Sequence, residues 1–526
     1  MKKLVSILLA LVMVLCMGLT AFAEDATLTI NGEAGREYAG YQLLNLTTSL
    51  KGDAHHPATC DGNHTDDCYN YAYTVNEKYR EVLQEETFAN GGNYLWETKP
   101  ADATGVTDEQ ILKYLGNQTG DNEEGHTMRQ VADRLYRAIK AAGIAADAEN
   151  LDGSDTIGQG YWMIADVTNL DGNAANSLVM VDTKGQDALT ITPKTALPTV
   201  EKKVKDIEDS EDNNIVDNAW QDTADHDIGD TVPFKLTGTL PSNAQSYQSF
   251  KMIFHDTMSA GLTFDSSSVK VYMYDTKHKA DVDIDLNDGK EVTEYFTVTD
   301  TGLTDGCTFE VSCNNVYAIT GVTKDTTFVV YYEATLDDDA VIGNAGNPNE
   351  VYLEFSNEPY SDGTGNTETD EVKVYTYKLI INKTDSHGHA LEGAGFTLYK
   401  KDLSGTYAAI GAELTGMTTF TWKGLDDGDY KLVESTVPSG YNKMDDITFS
   451  ISAEHVESLT SIDGGVMGTG DVNTGEITKD IVNNSGTVLP ETGAEGTIMI
   501  ISVSAVFVIL ATVFMITRKK MSIYED

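Results

Sequence analysis

The sequence predicts a mostly β protein, with tandem immunoglobulin-like β-sandwich domains preceded by an α+β N-terminal domain. From residue 194 onward, short alternating runs such as 269–274 and 351–355 are separated by Gly, Asp, Asn and Ser turns, as in sandwiches. Before that point, apolar residues also recur at helical spacing over 127–144. Helices and strands therefore share the first domain, whereas strands alone account for the rest.

The N-terminus has the pattern of a secretory signal peptide. Lys2 and Lys3 precede an apolar stretch over 4–19, and small residues surround the cleavage point expected after Ala23. Cys16 lies inside the apolar stretch and follows a large residue, so a lipoprotein anchor is not expected. The mature chain is then exported.

The C-terminus predicts a wall-sorting signal that a sortase processes. A pentapeptide precedes an apolar run over 498–516, long enough to span a bilayer, and three basic residues that hold its end in the cytoplasm. A sortase would cut after Thr492, keep its carbonyl as a thioester and pass it to an amine. An ordinary single-pass anchor with a chance pentapeptide is the alternative. The pentapeptide consists of Leu489, Pro490, Glu491, Thr492 and Gly493.

The chain is strongly acidic, with a formal net charge of −47 over 526 residues. Removal of Lys2 and Lys3 takes away two positive charges, and the tail after Thr492 sums to zero, so the mature charge is −47 − 2 = −49. Such a surface repels phosphate backbones, which argues against nucleic acid as a partner and favours solubility outside the cell.

Four of the five cysteines remain after removal of the signal peptide. Cys60 and Cys68 flank a polar loop and could close a small disulfide, and a metal site with nearby histidines is the alternative. If 307–313 is one strand, the sulfurs of Cys307 and Cys313 share a face but lie about 20 Å apart. Either that strand breaks or these thiols do something else. The histidines are His55, His56 and His64.

Each predicted sandwich has a lysine on the apolar face of its first strand. Lys202 is in phase with the valines on either side of it, and Lys383 is in phase with Leu379 and Ile381. An acid and an asparagine lie further along each domain. In the first sandwich they are Asp256 and Asn357, and in the second they are Glu434 and Asn483.

Burial of a lysine beside an acid is costly unless the two are paired or neutral. Desolvation lowers the pKa of the amine and raises that of the acid, so both can be neutral together. The neutral amine can then attack the asparagine carbonyl, while the protonated acid polarises that carbonyl and helps ammonia to leave. The product is an amide between lysine and asparagine. A lysine that snorkels to the surface among unrelated polar residues is the alternative.

Over essentially its whole length, the chain resembles a Gram-positive sortase-assembled pilin. Apart from the sorting signal, its most specific motifs are 438–441, Pro-Ser-Gly-Tyr, and 393–396, Gly-Ala-Gly-Phe. The resemblance implies two self-crosslinking triads, with Asn484 as a rival to Asn483. These triads are Lys202 with Asp256 and Asn357, and Lys383 with Glu434 and Asn483. The implied segments are a signal peptide over 1–23, an N-terminal pilin domain over 24–193, a fimbrial isopeptide-forming sandwich over 194–375, a collagen-adhesin B-type sandwich over 376–484, and a sorting signal with transmembrane segment over 485–526.

Lys194 lies in a segment similar to the pilin motif, whose lysine attacks the sortase thioester in backbone subunits. Pro193 precedes it, but Thr192 stands where the motif has tyrosine. Prolines on both sides suit an exposed linker, which a nucleophile serving a separate enzyme requires. A solvated linker lysine without function is the alternative.

The resemblance implies the major backbone subunit of a covalent, wall-anchored surface pilus, joined head to tail through Thr492 and Lys194. The expected partners are a pilin-class sortase, a wall-anchoring sortase, other copies of the chain, peptidoglycan and host surface ligands. No cofactor, no metal and no enzymatic turnover are expected. The alternative is a monomeric wall-anchored adhesin or accessory pilin that binds a host ligand.

Overall fold

The computed structural model describes residues 21–22, 25–50, 69–119, 127–151, 153–169, 174–184, 186, 188–193, 195–207, 220–275, 289–359, 362–486 and 506–515. Several predicted features lie outside these residues, so their predictions stand as made: Cys60, Cys68, Lys194, the pentapeptide over 489–493 and most of the signal peptide.

The N-terminal part combines helices with two sheets. Its strands are β1 (Ala21–Phe22), β2 (Ala26–Ile30), β3 (Tyr38–Leu50), β4 (Tyr69–Val75), β5 (Ala148–Leu151), β6 (Ser154–Ile157), β7 (Gly160–Asp166), β8 (Leu178–Asp182) and β9 (Ala188–Ile191). Its α-helices are α1 (Arg80–Asn90), α2 (Asp108–Gly116) and α3 (Thr127–Ala141). One sheet has the order β1-β3-β7-β8, with β4 and β5 also paired to β3, and the other has the order β6-β2-β9.

Helix α3 packs its apolar stripe against the larger sheet. Val131, Leu135 and Ile139 recur at intervals of four and are buried in one cluster with residues of that sheet. The helix ends at Ala141, before the predicted limit of 144. Gly143 adopts a positive φ of 66° and lets the chain reverse, as glycine does at helix C-termini.

The middle sandwich packs two large sheets around a single apolar core. Its strands are β10 (Thr199–Lys205), β11 (Trp220–Gln221), β12 (Thr223–Asp225), β13 (Thr231–Thr239), β14 (Met252–Met258), β15 (Leu262–Tyr274), β16 (Lys290–Glu291), β17 (Thr297–Thr299), β18 (Phe309–Cys313), β19 (Thr327–Leu336), β20 (Asn347–Ser356), β21 (Thr364–Asn366) and β22 (Asp370–Tyr375). The sheet orders are β11-β10-β13-β19-β15-β16 and β12-β22-β20-β14-β18-β17, with β21 also paired to β20.

The C-terminal sandwich is smaller and packs a three-stranded sheet on a six-stranded one. Its strands are β23 (Tyr377–Asp385), β24 (Gly395–Lys401), β25 (Tyr407–Ala409), β26 (Leu414–Thr415), β27 (Thr419–Leu425), β28 (Gly428–Thr436), β29 (Ile447–Glu454), β30 (Ser461–Asp463) and β31 (Glu476–Asn483). The orders are β27-β23-β31 and β25-β24-β28-β29-β30, with β26 also paired to β24. The predicted fold class, tandem sandwiches after an α+β domain, is confirmed.

Short 3-10 helices connect several strands, and a further helix, α4, covers residues 506–515. The 3-10 helices are Glu77–Tyr79, Asn93–Leu95, Ala103–Gly105, Ala244–Ser246, Thr293–Tyr295, Val316–Ala318 and Gly465–Met467. Among the residues described here, no helix has both the length and the apolar character needed to cross a membrane. Of the predicted membrane span over 498–516, the structure describes only the residues of α4.

The joint between the two sandwiches is tightly packed. The Ile228 amide donates to the Gly424 carbonyl at 3.1 Å, and Asp227 receives a hydrogen bond from Lys400 at 2.6 Å. Gly424 has a φ of +70°, and a Cβ there would lie 2.5 Å from Ile228 side-chain atoms. A side chain at this position would therefore force the joint apart.

The two cysteines of the middle sandwich do not share a strand. Strand β18 begins at Phe309, so Cys307 lies in the preceding loop, while Cys313 is buried in the core. The premise that 307–313 forms one strand is therefore wrong, because the strand covers only 309–313, and the two thiols have separate environments.

Candidate functional site

Lys202 and Asp256 enter the middle core from opposite sheets. Lys202 is fully buried on β10, where it alternates inward with Val200 and Val204 as predicted. Asp256 is equally buried on β14, in phase with Phe254. Because the two strands belong to facing sheets, their side chains meet in the middle of the sandwich.

The amine of Lys202 is held between a carboxyl and an amide. Its Nζ lies 2.6 Å from Oδ2 of Asp256 and 2.6 Å from Oδ1 of Asn349, and it also donates to the Glu350 carbonyl at 3.2 Å. The Cγ of Asn349 is one C=O bond, about 1.23 Å, from Oδ1. The amine is therefore within about 4 Å of the carbon that it would attack.

Burial pushes both ionisable groups of this cluster toward neutrality. Desolvation lowers the pKa of Lys202 to about 8, although the charge of Asp256 opposes the shift. Desolvation also raises the pKa of Asp256, against the opposing effect of Lys202. A neutral amine beside a protonated carboxyl is the arrangement that amide formation needs.

The structure places Asn349, and not Asn357, in the first cluster. Asn349 lies on β20 and Asn357 directly follows it. Both are buried and belong to the set of alternate residues that face the core, so they share the predicted face. Pairing of β20 with β14 sets Asp256 opposite Val351, which is two positions from Asn349. The asparagine in contact with Lys202 is therefore Asn349, and the predicted Asn357 does not lie in this cluster.

Asn357 lies eight residues after Asn349. In extended chain, with a rise of about 3.3 Å per residue, this places it about 26 Å further along the strand direction. Its carbonyl accepts a hydrogen bond from the Asn176 amide at 2.7 Å, which links the middle sandwich to the N-terminal domain. Its Oδ1 is buried without a hydrogen bond to the residues that the structure describes. Asn357 thus belongs to the joint with the N-terminal domain.

Tyr332 is a fourth member of the first cluster that the sequence did not indicate. Its hydroxyl donates to Asp256 Oδ2 at 2.7 Å and accepts from Asn349 Nδ2 at 3.0 Å. It therefore bridges the acid and the amide nitrogen that would leave. Its ring stacks on Phe234 with 5.3 Å between centroids, and Phe264 and Phe309 pack edge-on against it. These rings exclude water from the reacting groups.

The second cluster brings together Lys383, Glu434 and Asn483. Lys383 is buried on β23 and donates to the Ile481 carbonyl of the neighbouring parallel strand β31 at 3.0 Å. Asn483 Nδ2 donates to Glu434 Oε1 at 2.6 Å, and the other oxygen of Glu434 accepts from the Met444 amide at 2.9 Å. Burial lowers the pKa of Lys383, and the charge of Glu434 opposes this shift.

Geometry distinguishes Asn483 from its rival Asn484. Asn483 is only 1% exposed and bonded to Glu434, whereas Asn484 is exposed at the end of β31. Asn483 Oδ1 is buried without a hydrogen bond to the described residues. In this cluster the acid therefore holds the amide nitrogen of the asparagine.

The segment around Lys194 connects the N-terminal domain with the middle sandwich. Thr192 and Pro193 follow β9, and residues 195–198 lead into β10 without regular secondary structure. Lys194 itself lies outside the described residues.

Two family models match adjacent parts of the chain. Residues 228–359 match the model described as Gram-positive pilin backbone subunit 2, Cna-B-like domain, and residues 356–464 match a prealbumin-like fold domain. The first match contains Asp256, Tyr332 and Asn349, and the second contains Lys383 and Glu434. These matches confirm the resemblance to Gram-positive pilins.

Individual relatives are more distant. The trypsin-resistant surface T6 protein of Streptococcus pyogenes serotype M6 is 26% identical over 374 residues, which are 67% of this chain and 64% of that protein. The chain thus spans less than two thirds of that relative. The solved T6 backbone pilin of the same serotype is 18% identical, with 88% of this chain and 99% of that chain covered and a TM-score of 0.49. The full-length major pilin SpaD of Corynebacterium diphtheriae is 15% identical, with coverages of 88% and 98% and a TM-score of 0.42.

Proposed function

We propose that the chain is the major backbone subunit of a covalently polymerised surface pilus and that each sandwich forms an internal lysine–asparagine amide. The observation that carries the proposal is the placement of Lys202 between Asp256 and Asn349, with all three side chains fully buried. Similarity to backbone pilins supports a structural pilus subunit. A structural rather than enzymatic role agrees with it, since each crosslink forms once and nothing turns over.

In the proposed reaction, neutral Lys202 Nζ attacks Cγ of Asn349, and a C–N bond forms while the carbonyl becomes a tetrahedral oxyanion. The protonated carboxyl of Asp256 hydrogen-bonds that oxygen and stabilises the charge that develops on it. Tyr332 contacts both the acid and Nδ2, so it provides a path for the proton that Nδ2 needs to leave as ammonia. The amine loses one proton, ammonia gains it, and Asp256 ends as it began. In the C-terminal sandwich, Lys383 would be the nucleophile and Asn483 the amide that it attacks. Glu434, which accepts a hydrogen bond from Asn483 Nδ2, would pass to that nitrogen the proton with which ammonia leaves.

Polymerisation requires a separate step outside these cores. A sortase would release Gly493 by forming a thioester with Thr492, and Lys194 of another copy would attack that thioester. Other copies, a pilin-class sortase, a wall-anchoring sortase and peptidoglycan are thus the proposed partners, at the Gram-positive cell wall. Host surface ligands are further candidate partners. The alternative function is a monomeric wall-anchored adhesin or accessory pilin that binds such a ligand. A monomeric adhesin would give no ladder of covalent multimers.

The test of polymerisation is an immunoblot of wall extracts after boiling in detergent. The unmodified chain should give a high-mass ladder. Lys194→Arg should collapse the ladder to wall-linked monomer, because a guanidinium stays protonated and is not nucleophilic. Thr492→Ala should abolish both the ladder and wall linkage. Lys203→Arg is the matched control, since Lys203 is paired with Asp222 at 2.6 Å. An unchanged ladder from Lys194→Arg would remove Lys194 from the mechanism.

A further inference from the structure

The outer face of the middle sandwich carries a cluster that the crosslinking reaction does not use. His255 points away from the core, because its neighbours on β14 point into it, yet its side chain is only 6% exposed. Glu310 on β18 and Tyr352 on β20 lie directly opposite it in the sheet. The Tyr352 ring stacks on the imidazole with 4.5 Å between centroids. The loop before β18 brings Asp305 and Cys307 to the same place.

Four different donor atoms converge at this point. His255 Nδ1 lies 2.7 Å from Asp305 Oδ2, 3.5 Å from Glu310 Oε1 and 3.9 Å from Cys307 Sγ. All four donors lie within 4.8 Å of one another. Around a tetrahedral zinc ion with bonds of about 2.0–2.3 Å, donors are separated by about 3.3–3.8 Å. Side-chain movements of about 1 Å or less would therefore bring these atoms into coordination geometry.

The second nitrogen of His255 supports the same arrangement. Nε2 is buried, makes no hydrogen bond to the described residues, and lies 3.4 Å from Glu354 Oε2. Metal-bound histidines usually direct their other ring N–H toward a carboxylate, which fixes the tautomer and the ring orientation. With Nδ1 on a metal, the proton of His255 would be on Nε2, facing Glu354.

The charges around His255 also favour a cation. Three carboxylates and a thiol surround one imidazole, and Lys251 lies 3.5 Å from the other oxygen of Glu354. Burial, together with the nearby carboxylate of Asp305, raises the pKa of Cys307 to about 12. A metal ion would reverse this effect by binding the thiolate, and the thiol proton would go to solvent.

We propose that His255, Asp305, Cys307 and Glu310 form a binding site for a divalent transition-metal ion of the zinc class. Imidazole and thiolate are ligands that zinc-like ions prefer, whereas calcium and magnesium take oxygen donors. A bound ion would fasten the loop before β18 to the outer face of β14. The inner face of the same strand carries Asp256. This site is independent of the proposed pilus assembly.

The test is metal titration of the purified, reduced full-length chain. Cys60 and Cys68 are replaced by serine throughout, because they offer a second thiol site. Cobalt(II) should bind at one equivalent and give a near-ultraviolet thiolate-to-cobalt absorption band, which zinc should abolish by displacing cobalt. Cys307→Ser should remove the band. Cys313→Ala, which removes the thiol buried in the core, should keep it. Glu354→Gln should weaken zinc binding about 10- to 100-fold.

Three results would overturn the proposal: a cobalt band that survives Cys307→Ser, an absence of binding in the Cys60/Cys68 serine background, or calcium binding as tight as zinc binding. A melting measurement guards against misfolding of the variants. Zinc should raise the melting temperature of the parent chain and leave that of His255→Gln unchanged. An equal zinc-induced rise in His255→Gln would also refute the site.

Discussion

Replacement of Asn349 by alanine should prevent the proposed crosslink of the middle sandwich, and replacement of Asn357 should not. Asn349 is the amide in contact with Lys202 Nζ, at 2.6 Å, whereas Asn357 lies at the joint with the N-terminal domain. Both are buried asparagines in the same strand phase, so the pair separates the effect of the crosslink from that of losing a buried amide.

The expected effect on stability follows from the size of the loop that the crosslink closes. Lys202 and Asn349 are 147 positions apart. By analogy with a disulfide, closing such a loop lowers the conformational entropy of the unfolded chain. The free energy of unfolding should therefore rise by about 5 kcal/mol. For a domain of this size, each kcal/mol shifts the melting temperature by about 2–4 °C, so Asn349→Ala should melt about 10–20 °C lower. Asn357→Ala removes a buried amide whose oxygen accepts no hydrogen bond from the residues that the structure describes, so its melting temperature should shift by only a few degrees.

Intact-mass spectrometry of the reduced full-length chain is the decisive assay. The parent should be lighter than its sequence by two ammonia molecules, and Asn357→Ala by the same two. Asn349→Ala should be lighter by one, because the C-terminal cluster is untouched. Loss of two ammonia molecules from Asn349→Ala, or of only one from Asn357→Ala, would refute the assignment. Melting in reducing buffer and trypsin digestion then report the energetic consequence.

Three further predictions concern the other buried groups. Glu434→Ala should restore one ammonia to the intact mass without changing the middle sandwich, since both hydrogen bonds to Glu434, from Asn483 and from the Met444 amide, lie within the C-terminal sandwich. In Asn349→Ala, where Lys202 keeps its amine, the unfolding free energy should rise with pH between about 8 and 10.5. The unfolded chain holds a proton in this window that the folded chain has lost, and the slope is at most about 1.4 kcal/mol per pH unit. Adding Lys202→Met should remove that slope in denaturant titrations. At the joint of the two sandwiches, burial lowers the pKa of His455, but the hydrogen bond and charge of Asp225 outweigh it and raise the pKa to about 9. Stability from this ion pair should be complete below pH 6.5 and be lost as pH rises through 9, and His455→Gln should abolish that dependence in thermal melts.

Alternation in the sequence was sufficient to predict which lysines face the core. Lys202 and Lys383 are both fully buried, as their phase with neighbouring apolar residues indicated. The same pattern could not separate Asn349 from Asn357, because a period of two specifies the face of a strand but not the level along it. That level is set by the pairing of β20 with β14, which depends on contacts distant in sequence.

Other features of the sites needed the tertiary structure. Tyr332 lies on β19 among other apolar and aromatic residues. Nothing in its local sequence indicates that its hydroxyl donates a hydrogen bond to Asp256. Strands β11 and β12 are only two and three residues long, and β12 pairs in parallel with β22. Strands this short have too few residues to show a periodic pattern. His255 is adjacent in sequence to Asp256 but faces the opposite side of the sheet, so one strand contributes to two unrelated proposed sites.

The two proposed crosslinks also determine which parts of the chain would carry a pulling force. Under the proposed head-to-tail linkage, tension acts between Lys194 and Thr492 of each copy. The middle sandwich would pass it from Lys202 directly to Asn349, and the C-terminal sandwich from Lys383 to Asn483. Residues 203–348 and 384–482 would then lie outside the covalent path, so a pull on the polymer could not extend them without breaking an amide. Because both acids are buried within the same cores that the force would otherwise open, each sandwich must fold before its crosslink forms. The proposed covalent bond would thus preserve a structure that burial of apolar residues has already built.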